Sequence, residues 1–250
     1  MLEATPLPGL PEVRAGDDLA ALLAAALVRT GELRAGDVLV VAHKVVSKAQ
    51  GRIRRLAEIE PSGRARELGA TLGKDPRHVQ AVLDESREIL RAARGTLISV
   101  THHGFVCANA GVDASNVPEP DAVALLPRDP DGSARALRRR LRELTGVAPA
   151  VVISDSFGRA WRHGQAEVAI GCAGLRPLED WRGRADASGR ELKATLIAVA
   201  DEAAAAADLV RGKDTREPAV LVRGLARHCT DEDGPGAAAL IRPEAEDLFR

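Results

Sequence analysis

Aromatic residues are nearly absent from this 250-residue chain: there is no Tyr, and there are only two Trp and three Phe. A core must therefore be built from Leu, Val, Ile and Ala, and the stacking aromatics of many nucleic-acid proteins are missing. An excess of either charge is also lacking. Against 36 Asp and Glu stand 35 Lys and Arg, for a net charge of −1, so no global field attracts nucleic acid or an anionic membrane. The three cysteines, Cys107, Cys172 and Cys229, show no C-x-x-C spacing, and reduced thiols in a cytoplasmic protein are the simplest account. No apolar run is long enough to span a bilayer: Leu19–Val28 follows Asp17-Asp18 and is too short. The opening MLEATPLPG lacks a signal-peptide pattern, so a soluble, cytoplasmic protein is expected. The common catalytic signatures are missing too: G-x-x-x-x-G-K-[ST], G-x-G-x-x-G, H-E-x-x-H and G-x-S-x-G.

What is present is an alternation of strand and helix patterns that points to an α/β (mixed α+β) fold. Leu7–Val13 is a Pro/Gly-punctuated extended segment. Asp17-Asp18 caps a helix running to about Thr30, with Gly31 as its stop. Asp37–Val46 is expected as a strand, Pro61–Gly73 and Pro76–Arg94 as two helices, and Thr96–Val100 as another strand turned at His102-His103-Gly104. DPDG at 129–132 opens a helix to about Thr145, whose Arg138, Arg139 and Arg140 take successive helix positions and read as a solvated face. Val151–Ile153 is a short buried strand ending at Ser154. Arg190–Val210 is expected as one long Ala-rich helix with Asp201-Glu202 in its middle, followed by a charged loop, RGKDTREP, and a strand over Ala219–Arg223. Cys229–Gly236 is expected to be flexible, and Pro243–Arg250 short and amphipathic. No internal repeat and no domain linker stands out.

The polar groups of interest lie in separate loops. VVISDSFGRAWRHG at 151–164 places Asp155 and Ser156 directly after a strand, with Arg159, Trp161, Arg162 and His163 beyond. The carboxyl ends of strands are where ligands bind in open α/β sheets. A carboxylate and a hydroxyl followed by arginines suit a hard cation and an anion, while a capping Asp at a turn is the plainer alternative. FVCANAGVDASNV at 105–117 adds Asp113 and Asn116, which serve either a metal and its ligand or an Asx turn. Lys48 follows a strand and is placed to meet a phosphate as a point charge, though most lysines are merely solvated. Two aspartates from different strands could hold divalent cations against a triphosphate.

Taken together, GLPEVRAGDDL, GDVLVVAHKVVSKAQGRI, NAGVDASNV, LLPRDPDGSA, ISDSFGRAWRHGQ and VADEAAAAADLVRGK resemble the coenzyme F420:L-glutamate ligase (F420-0:gamma-glutamyl ligase) family over essentially the whole chain. The resemblance implies a stand-alone domain over 1–250 without the nitroreductase-like extension of actinobacterial members. It also implies a fold of two closely associated parts and an intertwined homodimer. The implied reaction is GTP-dependent addition of L-glutamate to a deazaflavin precursor through an acyl phosphate, with Mg²⁺ or Mn²⁺ (two ions) and K⁺. By matching motif, Asp113, Asp155 and Ser156 would be metal ligands. Leu10, Pro11, Glu12 and Val13 would cradle the nucleotide, and His43, Lys44, Lys48 and Asn116 would contact it. Arg211, Gly212, Lys213, Asp214, Thr215, Arg216, Glu217 and Pro218 would close over it. No covalent nucleophile is implied, and neither nucleic acid nor a membrane is a partner. Lys213 stands where archaeal members carry a carboxylate associated with the second metal, so that either Asp214 substitutes or that metal is held differently, and His43-Lys44 replace small hydroxyl residues. Two other readings compete: a metal-dependent phosphoesterase or kinase on another small substrate, and a nucleotide-binding regulator without turnover.

Overall fold

Val38, Leu39, Val40 and Val41 are completely buried, because the strand that they form is covered on both faces. In the computed structural model, which describes residues 1–248, they belong to a five-stranded sheet. Its order is β1 (Glu3–Pro6), β12 (Ala219–Arg223), β2 (Val38–Ala42), β8 (Ala150–Arg159) and β9 (Arg162–Ala173). β2 and β8 are parallel, and the other neighbours are antiparallel. Strands covered on both faces read as continuous apolar runs, which is why VLVV and AVVI show no alternation.

Alternate residues of these strands feed two cores. Leu39, Val41, Val151, Ile153, Ile170 and Leu221 pack with residues of α1 (Leu19–Thr30), α2 (His43–Ala49) and α5 (Pro130–Thr145). Val38, Val40, Val152, Val220 and Val222 pack with α6 (Val199–Asp208) through Ala200, Ala204 and Ala207. Each fully buried aliphatic side chain contributes about 1.5–3 kcal/mol relative to exposure. A third core, including Leu56, Val79, Val82, Leu97, Val112 and Val123, lies in the segment between β2 and α5. That segment holds β3 (Ile53–Arg55), α3 (Gly63–Leu72), α4 (Pro76–Asp84), β4 (Ser86–Ala93), β5 (Thr96–Thr101), β6 (Val106–Ala108) and β7 (Ala122–Ala124). β10 (Glu179–Asp180) and β11 (Leu196–Ile197) form a small exposed ribbon before α6. The architecture is mixed α/β, as the alternation implied. No helix among the described residues is long and apolar enough to cross a membrane.

Helix ends follow the local chemistry. Asp18 caps α1 by accepting from the Ala21 amide at 3.1 Å, and Gly31 follows the helix. Asp129 caps α5 through the Gly132 amide at 2.8 Å, and Gly146 closes it in the left-handed region. Along α5, Arg138 is bound to Asp233 and Arg140 to Asp18 and Glu143, so two members of the arginine run are neutralised locally.

Four expectations are corrected. The strand expected over Asp37–Val46 ends at Ala42, and His43 begins α2, whose Val45 and Val46 turn into the first core; burial overrides β propensity there. The helix expected to reach Arg94 stops at Asp84. Residues 86–93 form β4, paired with β5 across Arg94 and Gly95, both at positive φ (51° and 72°), the backbone that a two-residue hairpin favours. The strand expected to stop at Ile153 continues to Arg159, because β9 pairs with it from Val151 to Arg159, with irregularities between Ile153 and Ser154 and between Gly158 and Arg159. The long helix expected over Arg190–Val210 is only α6, and Asp201-Glu202 lie in its first turn. Residues 181–197 are instead turns and ribbon, held in part by the Asp186 carboxylate accepting from the Ser188 and Arg190 amides. The expected C-terminal segment carries a 3-10 turn over Glu244–Glu246, and its last two residues lie outside the described ones.

Candidate active site

The site forms where β2 gives way to α2 beside the parallel strand β8. α2 carries three basic groups, and each meets an acid from a different part of the chain: Asp155 of β8, Asp113 of the loop before β7, and Glu12 of the 10–13 loop. His43 is 2% exposed, and its Nε2 stands 3.3 Å from Asp155 Oδ1. That contact lies off hydrogen-bond geometry, so the buried Nε2 has no hydrogen-bond partner, while Nδ1 is 3.4 Å from Ser47 Oγ. Lys44 Nζ donates to Asp113 Oδ2 and Ser115 Oγ, both at 2.6 Å. Lys48, largely buried, pairs with Glu12 of the 10–13 loop.

Asp113 is fixed on both sides. Its backbone bridges to Ala124 in both directions, and its Oδ1 accepts from the Ser115 amide at 2.8 Å. Burial alone would raise its pKa, but the Lys44 and Ser115 hydrogen bonds outweigh burial and hold it below the ordinary value. Asp155 lies near Cys107 of β6, whose thiol is pushed up to about 12 by burial and then by the Asp155 charge. The two aspartates thus flank one end of α2, partnered by consecutive residues. Asn116 is exposed in the Asp113 loop, with a left-handed φ of 56°.

Ser156 belongs to a second cluster. Successive side chains of a strand point to opposite faces, so Asp155 and Phe157 point toward the first core while Ser156 points away. There its hydroxyl donates to Glu167 Oε1 at 2.5 Å, and Glu167 is its cross-strand partner on β9. Lys213 Nζ lies 2.8 Å from Ser156 Oγ, 3.1 Å from Asp208 Oδ1 and 3.3 Å from Glu167 Oε1. Arg211 Nη2 is 2.9 Å from Glu167 Oε2, with both side chains almost fully buried (6% and 4% exposed). Burial would raise the Glu167 pKa, but Arg211, the Ser156 hydroxyl and Lys213 together lower it. Lys213 is the reverse case: burial would lower its pKa, but Glu167 and Asp208 raise it above the ordinary lysine value.

The sequence-derived candidates therefore divide between two clusters. Asp113, Asp155, His43, Lys44 and Lys48 gather around α2 with Glu12, while Ser156, Arg211 and Lys213 gather on the opposite face. In the 10–13 loop, Leu10 and Val13 anchor into the core and Pro11 and Glu12 are exposed. In the 211–218 loop, Gly212, Asp214, Thr215 and Arg216 are exposed, Glu217 and Pro218 are half-buried, and Arg216 is left-handed (φ 57°). Sequence reasoning missed Glu167 and Asp208. Glu167 could have been found by reading GRAWRHG as a hairpin tip, since counting back along the partner strand sets it opposite Ser156.

The chain matches the model of the family described as F420-0:Gamma-glutamyl ligase over residues 9–224. It is 50% identical over 244 residues to the coenzyme F420:L-glutamate ligase of Methanothermobacter thermautotrophicus, covering 97% of this chain and 96% of that protein. It is 49% identical over 251 residues to the coenzyme F420:L-glutamate ligase of Methanopyrus kandleri, covering 100% and 98%. The protein of the same name from Archaeoglobus fulgidus is 47% identical over 251 residues. With a family match over most of its length and relatives of such identity covered almost end to end, the chain belongs to the F420-0:gamma-glutamyl ligase family.

Proposed function

We propose that this ligase joins L-glutamate to the coenzyme F420 precursor in a GTP-dependent reaction, working as a homodimer. The carboxylate of the precursor attacks the γ-phosphorus of GTP, and GDP leaves. The amine of glutamate then attacks the resulting acyl phosphate; phosphate leaves, the amine loses a proton and an amide is formed. A carboxylate is a poor electrophile until one oxygen becomes a phosphate leaving group. The work of the protein is therefore alignment of two anions and neutralisation of their charge.

The observation that carries this reading is the pairing of Asp155 and Asp113 with consecutive residues His43 and Lys44 of one helix. It brings two acids distant in the chain, one on β8 and one in the loop before β7, to the basic side chains of one helix, whose lysines suit a triphosphate. Lys44 and Lys48, now held by Asp113 and Glu12, can exchange those carboxylates for phosphate oxygens as point charges. Asp113 and Asp155 are hard oxygen donors that would hold Mg²⁺ or Mn²⁺, which would offset phosphate charge when bound. No group of three or more His, Cys, Asp or Glu donors converges among the described residues. An ion held here would take one or two carboxylates and complete its shell with phosphate oxygens and water. The orphaned Nε2 of His43 beside Asp155 leaves a polar group to be satisfied when the site is filled.

Mass spectrometry of the purified protein with precursor, GTP, Mn²⁺ and glutamate tests the reading. The expected product is heavier by one or more glutamyl units, with GDP formed in step. Unchanged precursor under these conditions would refute it, as would phosphate release that does not depend on glutamate.

A further inference from the structure

The cluster on the far side of β8 has the composition of a cation site whose cation is part of the chain. Three oxygens from three elements converge on one point: Ser156 Oγ of β8, Glu167 Oε1 of β9 and Asp208 Oδ1 of α6, and the Lys213 ammonium occupies that point. Ser154, fully buried two positions earlier on the same strand face, brings a further hydroxyl beside Glu167. Charge is balanced within the group: Glu167 and Asp208 carry two negative charges, and Arg211 and Lys213 carry two positive ones. Arg211 cannot move to replace a lost cation, because it is buried and its Nη1 also donates to the Pro218 carbonyl at 3.3 Å.

We propose that the Lys213 ammonium is a built-in cation, filling the cage of Ser156, Glu167 and Asp208 oxygens that would otherwise take a metal ion. Ser156 then ligates no second divalent ion, and this face of the sheet has no place for K⁺. Divalent ions are confined to the Asp113–Asp155 side. A protonated lysine has no lone pair with which to ligate a metal, so the ammonium and an ion exclude one another. The inference depends on the ligase reading only for where the remaining ion goes.

The test counts Mn²⁺ per chain by electron paramagnetic resonance titration of the full chain with GTP present, in wild type, Lys213→Ala and Lys213→Arg. Truncation to Ala opens the cage and leaves its net charge at −1. Lys213→Ala is therefore expected to bind one more Mn²⁺ per chain than wild type, and Lys213→Arg the wild-type number. The side chain is 66% exposed on a loop, so truncation leaves folding intact, which a melting transition checks. Lys213→Gln, one atom shorter and uncharged, gives the same gain by a second route. Equal counts in wild type, Ala and Gln variants would overturn the proposal. A wild type that binds no Mn²⁺ beside an Ala variant that binds one would uphold it while refuting the divalent-ion part of the ligase reading.

Discussion

Arg211→Met is the sharpest test of how the second cluster is held together. The substitution keeps most of the side-chain volume and deletes the guanidinium from a pair in which both partners are almost wholly buried. Removing one member of such a pair costs about 3–5 kcal/mol, because the other charge is left without compensation. Glu167 keeps the Ser156 hydroxyl and Lys213 on its Oε1, so the low end, about 3 kcal/mol, is expected. In a chain of this size, where each kcal/mol is worth about 2–4 °C, that is a fall in Tm of about 6–12 °C. The acid limb sharpens the test. Since the folded Glu167 pKa lies below its ordinary value of 4.5, its contribution is complete above that pH and is lost as pH falls through the folded value. Without Arg211 the folded pKa rises, so that loss should begin at higher pH. Adding Glu167→Gln to Arg211→Met removes the stranded charge and should restore at least about 1 kcal/mol, within the usual coupling of contacting residues. Urea unfolding at neutral pH and at about pH 4–5 measures both effects. Arg211→Met within about 1 kcal/mol of wild type at neutral pH, or no recovery in the double variant, would refute the reasoning.

Asp155→Asn should abolish glutamate addition while leaving Tm within about 2 °C of wild type, since Asn keeps the volume and loses only the charge facing His43; wild-type-like turnover would remove Asp155 from the mechanism. Gly171→Ala should destabilise the protein by about 2–3 kcal/mol, because an added Cβ would lie 2.4 Å from the Pro130 carbonyl oxygen at the start of α5. A Tm equal to wild type would show that α5 can shift to make room. Iodoacetamide at about pH 8 should leave Cys107 and Cys172 unmodified until the protein is unfolded, because burial pushes both thiols up to about 12. Rapid labelling of either in the native protein would contradict their burial.

The parts of the fold written in local chemistry were legible from the sequence. The Asp caps and Gly stops bound α1 and α5 almost to the residue, and β12 carries its own borders in Pro218 and Gly224. What was not legible depended on partners distant in the chain. Residues 86–93 have apolar positions compatible with either period, and only the Arg94-Gly95 turn and the ladder to β5 make them a strand. Helix α2 contains two β-branched valines after a strand of valines, and core packing rather than propensity turns them into a helix. Within the candidate site, the stretches carrying Asp113, Asp155 and Lys48 were recognisable by residue type, but their counter-charges were not. Glu12 and Lys48 are 36 positions apart, and no local pattern links them.

The separation of Asp155 from Ser156 has the largest consequence. Read as a tripeptide, Ser154-Asp155-Ser156 looks like one ligand set, and as a turn it could have been one. In β8 their side chains instead alternate between the two faces of the sheet, while the Ser156 amide donates to Asp155 Oδ1 at 2.8 Å. Asp155 must then face α2 and its histidine, while Ser156 faces Glu167 and the lysine of the 211–218 loop. Adjacent residues therefore serve two charge clusters divided by the thickness of a sheet. On the α2 side, Lys44 is held by Asp113 and Lys48 by Glu12. On the opposite side the group is internally neutral, with Glu167 and Arg211 almost fully buried and Lys213 66% exposed. β8 thus presents Asp155 to one charged cluster and Ser156 to another on the opposite face of the sheet.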